Sequence, residues 1–130
     1  MKHIFKTGDQ KIFKKIISKE DCAIFNGELL HPVYATFALA RDFEWSSRLF
    51  FLEMKDDDEE GVGTMLSITH QSPAFVGEEV TITATVEHID GHELICSIQA
   101  KTRNRVIATG QTGQKMLTKE KLNRLFNPTN

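Results

Sequence analysis

The sequence predicts an α+β fold in which one long helix is wrapped by an antiparallel sheet. Three observations carry that expectation. Thr36 to Met54 contains no Gly or Pro, and its residues favour helix. Val80, Ile82, Ala84 and Val86 alternate with Thr81, Thr83, Thr85 and Glu87, the period-2 pattern of a strand with one apolar face. Asp90-Gly91 then supplies a two-residue hairpin turn, and Leu94, Cys96, Ile98 and Ala100 alternate with polar residues on the return strand.

The remaining elements follow in chain order. Lys11 to Ile17 is a short β-prone run. Ser18-Lys19-Glu20-Asp21 reads as a capping-box-like start to a helical turn through Phe25, broken by Asn26-Gly27. Pro32 marks an extended approach to the long helix. That helix, at ~1.5 Å per residue, is ~28 Å long. Its first half, Phe37-Ala38-Leu39-Ala40, is apolar on all sides, as expected of a buried helix, and Thr36 is a candidate N-cap. The acidic run from Asp56 to Glu60 ends it, and Gly61 releases the chain. Five consecutive acids are either a metal site or, as is usual, a solvated loop. Gly63 to His70 reads as a strand ending in histidine. Arg103-Asn104 is a further turn, and Val106 to Leu117 is the last long strand. Within it, Gly110 and Gly113 point to a bulge or a close backbone approach. Thr118-Lys119-Glu120 starts a short helix ending near Phe126. A flat sheet would leave half of the long helix in water. A sheet of about five strands must therefore curl around it, with Val80, Ile82, Leu94 and Ile98 pointing inward.

At 130 residues the chain is read as a single domain, 1–130, able to bury a core without staples. A net charge of −2 offers no basic footprint, so nucleic acid is not the expected partner. Cys22 and Cys96 form no CxxC or Cys/His cluster and read as reduced thiols; no metal or other cofactor is expected. Neither a signal-like segment nor a membrane span is expected, which makes a cytoplasmic location the expectation.

Two polar residues stand in unusual places. Glu44 lies in mid-helix between Phe43 and Trp45, and His70 ends a strand. A carboxylate and the side chain that titrates nearest neutrality are the raw material of general acid–base chemistry. The plainer alternatives are a Glu44 ion pair with Arg41 or Arg48 along the helix, and a His70 bonded to a backbone carbonyl. Thr36 is either catalytic or a cap. If the segment is helical throughout, the eight residues from Thr36 to Glu44 rise ~12 Å and the two cannot bond directly. Either the helix starts later, or the two meet across a dimer, or Thr36 touches another part of the substrate. Gly63 allows a carbonyl to approach backbone donors, or is an ordinary strand start. Lys101, Arg103 and Arg105 cluster at one turn and could face phosphates or simply solvent. His88 and His92 flank a hairpin tip, and His31 stands near the approach to the helix.

Taken together, the chain resembles a hotdog-fold thioesterase of the fluoroacetyl-CoA thioesterase-like branch over nearly its whole length. The resemblance rests on an ordered set of motifs. These are Ala35-Thr36, Glu44-Trp45, Gly63-Thr64 with Thr69-His70, Gly77 to Ala84, Gly91 to Leu94, and Ala108-Thr109-Gly110. It implies that the long helix is the sausage and the sheet the bun, and that protomers form a homodimer through their sheet edges. It also implies acyl-CoA as substrate, bound at the interface; pairing of dimers into a tetramer stays open. The family's catalytic threonine, glutamate and histidine fall on Thr36, Glu44 and His70, and its active-site glycine on Gly63. An arginine of the fluoroacetyl enzyme's last strand appears here as Gln114, and its aromatic lid positions fall on Leu30 and Gly27. The implied reaction is acyl-CoA hydrolysis of a short or medium acyl group without preference for fluoroacetate. A hotdog enoyl-CoA hydratase or dehydratase and a non-catalytic acyl-CoA-binding module are the rivals, because fold alone does not separate them.

Overall fold

The structure, a computed structural model, describes residues 1–127. Strand β1 (Gln10–Ile16) is followed by a short hairpin of β2 (Cys22–Phe25) and β3 (Glu28–Tyr34), then by helix α1 (Thr36–Met54). After these come β4 (Glu59–His70), β5 (Glu79–Asp90), β6 (Glu93–Lys101), β7 (Val106–Thr118) and helix α2 (Lys119–Phe126). Five strands form one antiparallel sheet in the order β1-β5-β6-β7-β4, and α1 touches every one of them. This is the expected hotdog architecture. Val80, Ile82 and Leu94 are fully buried and Ile98 nearly so, all within one core with α1.

Four local expectations need correction. The helical turn through Phe25 is only a 3-10 turn at Lys19–Asp21; Asp21 accepts from the Ser18 N–H at 2.9 Å and from its hydroxyl at 3.0 Å. Cys22 onward is strand, because Asn26 (φ 51°) and Gly27 (φ 78°) make a two-residue turn that folds β2 onto β3. Helix α1 is buried on one face only. Its covered residues run Ala38-Leu39, Asp42-Phe43, Ser46-Ser47, Phe50-Phe51 and Met54, a stripe repeating every four. Phe37, expected inside, is 49% exposed, because that side of α1 overlooks the β4 edge rather than the sheet. Finally, Glu59 and Glu60 belong to β4 and not to a solvated loop. Glu60 is held by Arg48 at 2.8 Å and Lys55 at 3.1 Å. The Asp90-Gly91 hairpin is displaced by one residue: Asp90 pairs with Glu93, and Gly91-His92 make the turn.

Strand β4 pairs with β7 through a register shift between Gly63 and Met65, so Thr64 is an extra residue. Before the bulge, Gly61 and Gly63 face α1; after it, Leu66, Ile68 and His70 do. Gly110 and Gly113 on β7 are the close approach expected from sequence. A Cβ on Gly110 would lie 1.9 Å from the Ser67 carbonyl oxygen, and one on Gly113 would meet Thr64 Oγ1 at 2.9 Å.

The start of α1 is anchored by a charged cluster. Lys15 reaches Asp21 at 2.8 Å and Asp42 at 3.1 Å. Arg41 reaches the same two carboxylates, at 2.8 and 3.1 Å. The fully buried Tyr34 donates its hydroxyl to Asp42. Burial would raise the Asp21 carboxyl. The Lys15 ammonium, the Ser18 N–H, Arg41 and the Ser18 hydroxyl outweigh it and hold the group well below the usual carboxylate range. A depressed folded-state pKa stabilises the fold above the unfolded value of ~3.9 and loses that stability as pH falls further. Asp21→Asn should therefore cost about 1.5–3 kcal/mol at pH 7. It should also flatten the fall in melting temperature between about pH 4 and pH 2. Parallel thermal melts of both proteins across that range check this; identical slopes would remove Asp21 from the anchor.

Candidate active site

Thr36 and His70 are brought together by the elements just described. Tyr34, buried and tied to Asp42, fixes the chain as it enters α1, and the Ala35 N–H donates to the Asp21 carbonyl at 2.8 Å. Ala35, not Thr36, is the N-cap. The Thr36 hydroxyl is engaged elsewhere: Oγ1 lies 3.0 Å from His70 Nδ1. His70 reaches it because the bulge at Thr64 turns the end of β4 toward the helix. The other ring nitrogen, Nε2, is buried and has no hydrogen-bond partner among the described residues. Whichever tautomer is present, one imidazole nitrogen is left for another group.

Thr36 of this pair borders a cleft of about 570 Å³ whose walls include Ala23, Phe25, Phe37, Ala40, Leu66 and Ile68, with His31 as a further polar group. Phe25 and Phe37 stack edge to face, centroids 5.3 Å apart. Leu30 is exposed on β3 and is not part of this lining; its neighbour His31 is. From sequence, Phe37 is expected in the core and Phe25 at the end of a helical turn, neither at a site. The available signal was a large aromatic residue directly before the Asn26-Gly27 turn.

Glu44 lies in a second, smaller cleft of about 260 Å³ with Arg41, Trp45, Arg48, Gly61, Gly63 and Gln114. It is exposed, contrary to the expectation of a buried helix. Its carboxylate makes no hydrogen bond or ion pair among the described residues. Arg41 is held by Asp21 and Asp42 and Arg48 by Glu60, so the helical ion pair weighed above does not form. Gly63 faces it so closely that a Cβ there would lie 2.9 Å from Glu44 Oε1. Gln114 is buried, and its amide donates to Ser47 Oγ at 2.7 Å.

The two clefts are separate within one protomer. Helix α1 starts at Thr36, so the ~12 Å rise to Glu44 stands. The seven steps from Gly63 to His70 along β4 span ~24 Å at most. Thr36 meets His70, Glu44 meets Gly63, and the halves do not touch. The basic turn lies outside both clefts: Arg105 bonds the Pro73 carbonyl and Glu78, while Lys101 and Arg103 line another groove with Glu78 and Glu79. His88 and His92 are exposed at the hairpin tip. The carboxylates of Asp56, Glu59 and Glu60 are engaged by the Met1 amino group, Lys2, Lys55 and Arg48. No group of three potential metal ligands occurs among the described residues, and no helix there is long and apolar enough to cross a membrane.

Comparison with known proteins places this geometry in a family. The model of the fluoroacetyl-CoA-specific thioesterase family matches residues 17–120. Among solved structures, a hypothetical protein of Thermus thermophilus that is a thioesterase superfamily member superposes with a TM-score of 0.88. Its identity is 28%, covering 92% of this chain and 89% of that one. A hot-dog-like protein from Thermanaerovibrio acidaminovorans gives 0.88 at 20% identity, covering 97% and 94%. The fluoroacetyl-CoA thioesterase FlK gives 0.87 at 20% identity, covering 97% and 98%. A search of curated proteins finds no match. With most of its length matched by the family model and a thioesterase fold around both clefts, the chain belongs to the fluoroacetyl-CoA-specific thioesterase family and is a thioester hydrolase.

Proposed function

We propose that the chain is an acyl-CoA thioesterase, converting acyl-CoA and water to a carboxylate and CoA, and that it works as a dimer joined along β4. The observation that carries the reading is the Thr36–His70 hydrogen bond at the edge of an apolar cleft, with the second histidine nitrogen unpaired. Variants of FlK occur in complex with fluoroacetate and CoA and with acetyl-CoA, which supports a CoA ester as the substrate.

The dimer reconciles the divided site. The sheet has two free edges, β1 and β4. Strand β1 carries Lys11, Lys14 and Lys15, charges of the kind that discourage edge pairing. From Gly61 to Thr69, β4 carries no charge and no proline, and Gly63 to Ser67 is exposed. Antiparallel self-pairing about a twofold axis near Leu66 brings His70 of one protomer opposite Val62 and Gly63 of the other. Thr36 and His70 then face the partner's Glu44 and Gly63, completing one site from two chains.

In that site Glu44 acts on water as general base, or attacks the thioester carbonyl itself to give a mixed anhydride that water then opens. The backbone beside Gly63 receives the oxyanion. Collapse breaks the C–S bond, and His70 delivers a proton to the departing sulfur while Thr36 orients its ring. The positions Leu30, Gly27 and Gln114 lack the aromatic lid and guanidinium to which fluoroacetyl selectivity is linked. Gln114 is moreover tied to Ser47, and a neutral amide does not replace a planar cation.

Glu44→Gln and His70→Ala should each lower kcat on the best acyl-CoA by at least ~10²-fold without loss of folding, followed by free-thiol release. Near-parental turnover in both would refute the mechanism, and hydration of an enoyl-CoA without thiol release would select the hydratase instead. Mixing the two inactive variants under conditions of subunit exchange should restore about a quarter of parental activity, because half of the dimers then hold one intact site. Activity that stays at the variants' level would mean that each site is built within one chain. For fluoroacetyl-CoA against acetyl-CoA, the ratio of kcat/KM should stay well below ~10³; a larger ratio would show that other residues supply the missing selectivity.

A further inference from the structure

The cleft beside Thr36 is far larger than a two-carbon acyl group requires. Its volume of about 570 Å³ lies in the range that takes drug-sized ligands. Within one protomer, an acetyl group seated at Thr36 would cover little of the apolar wall of Ala40, Leu66 and Ile68, surface that a longer apolar chain would cover. Two rings shape the wall. Phe25, 52% exposed, ends β2, and Phe37, 49% exposed, directly follows Thr36. Their planes meet at 74°, an edge-to-face contact in which each ring holds the other in place while keeping apolar surface free. Phe25 is positioned by the Asn26-Gly27 turn, whose positive φ angles fix where β2 stops.

We propose that Phe25 and Phe37 are specificity-determining residues that make this a site for apolar acyl chains of roughly six to ten carbons. The inference rests on the thioesterase reading for the reaction, but not for the binding. The stacked rings stand where the lid positions Leu30 and Gly27 offer no aromatic surface, and they do so from different elements. A ring pair spanning hairpin and helix forms a long wall, not a cap over a small group, and it leaves the cleft open to chain length. An acyl chain lying against the rings covers the half of each that water now reaches.

The test uses S-ethyl-CoA and S-hexyl-CoA, thioethers that cannot be hydrolysed, titrated calorimetrically into the whole protein. The hexyl compound should bind at least ~10-fold more tightly, because its added methylenes are buried against apolar walls. Phe25→Ala and Phe37→Ala should each shrink that ratio by ~10-fold, and Phe25→Leu by less, since it keeps apolar bulk without the ring. The kcat/KM values for acetyl-, hexanoyl- and decanoyl-CoA should follow the same order. Should either alanine variant fail to fold, Phe25→Leu and Phe37→Leu carry the comparison. Equal affinity for the two thioethers overturns the proposal, as does a ratio that neither ring substitution changes. An unchanged ratio together with weaker self-association in sedimentation would assign the rings to the contact between protomers, which also overturns it. Absence of hydrolysis with chain-length-selective binding would instead count against the thioesterase reading and leave this one standing.

Discussion

The extra residue at Thr64 sets which side chains of β4 the helix sees. Side chains on a strand alternate, so one inserted residue exchanges the two faces for everything that follows. Upstream of it, glycines lie beneath α1, and their missing side chains make room for Glu44 and for Phe51. Downstream, Leu66 and Ile68 become cleft walls and His70 turns to Thr36. Without the bulge, Leu66, Ile68 and His70 would point to the outer surface of the sheet. The helix could still be covered and Glu44 would still face Gly63, but the Thr36–His70 half of the site would not exist.

The electrostatics of α1 work toward the same end by removing competitors. Arg41 and Arg48 both lie one helical turn from Glu44 and would ordinarily neutralise it. Each is drawn off by other acids: Asp21 and the adjacent Asp42 for one, Glu60 for the other. The charged cluster around Tyr34 thus anchors the helix and also keeps Glu44 free. Breaking one member of such a network disturbs several partners at once, since each carboxylate serves two cations.

Much of the fold was legible in the sequence. The alternation at Val80–Val86 and Leu94–Ala100 gave the inward faces correctly, and the Gly- and Pro-free span gave the bounds of α1 as Thr36 and Met54. What the sequence did not reveal was set by partners distant along the chain. The capping pattern at Ser18–Asp21 is genuine, yet pairing with β3 overrode it after one turn. Exposure of Glu44 and Phe37 follows from the helix overlooking a sheet edge, which helix periodicity does not encode. The bulge has no signature of its own, although Gly113 opposite it was a trace of the tight packing it demands. The separation of Thr36 from Glu44 was foreseeable from helical rise alone, and the structure leaves two of its three explanations.

Gly110 carries a further consequence, for mutational tolerance. The Ser67 carbonyl oxygen occupies the place where any side chain at position 110 would begin, so even a methyl group must push β4 away from β7. A change there touches no group in either cleft. It would nevertheless move Leu66, Ile68 and His70 as a unit, since all three ride on the displaced strand. In a survey of random substitutions, this position would be as intolerant as a reacting residue while taking no part in any chemistry. Intolerance at Gly110 would then report the spacing of two strands, and reading it as a sign of direct participation would be an error.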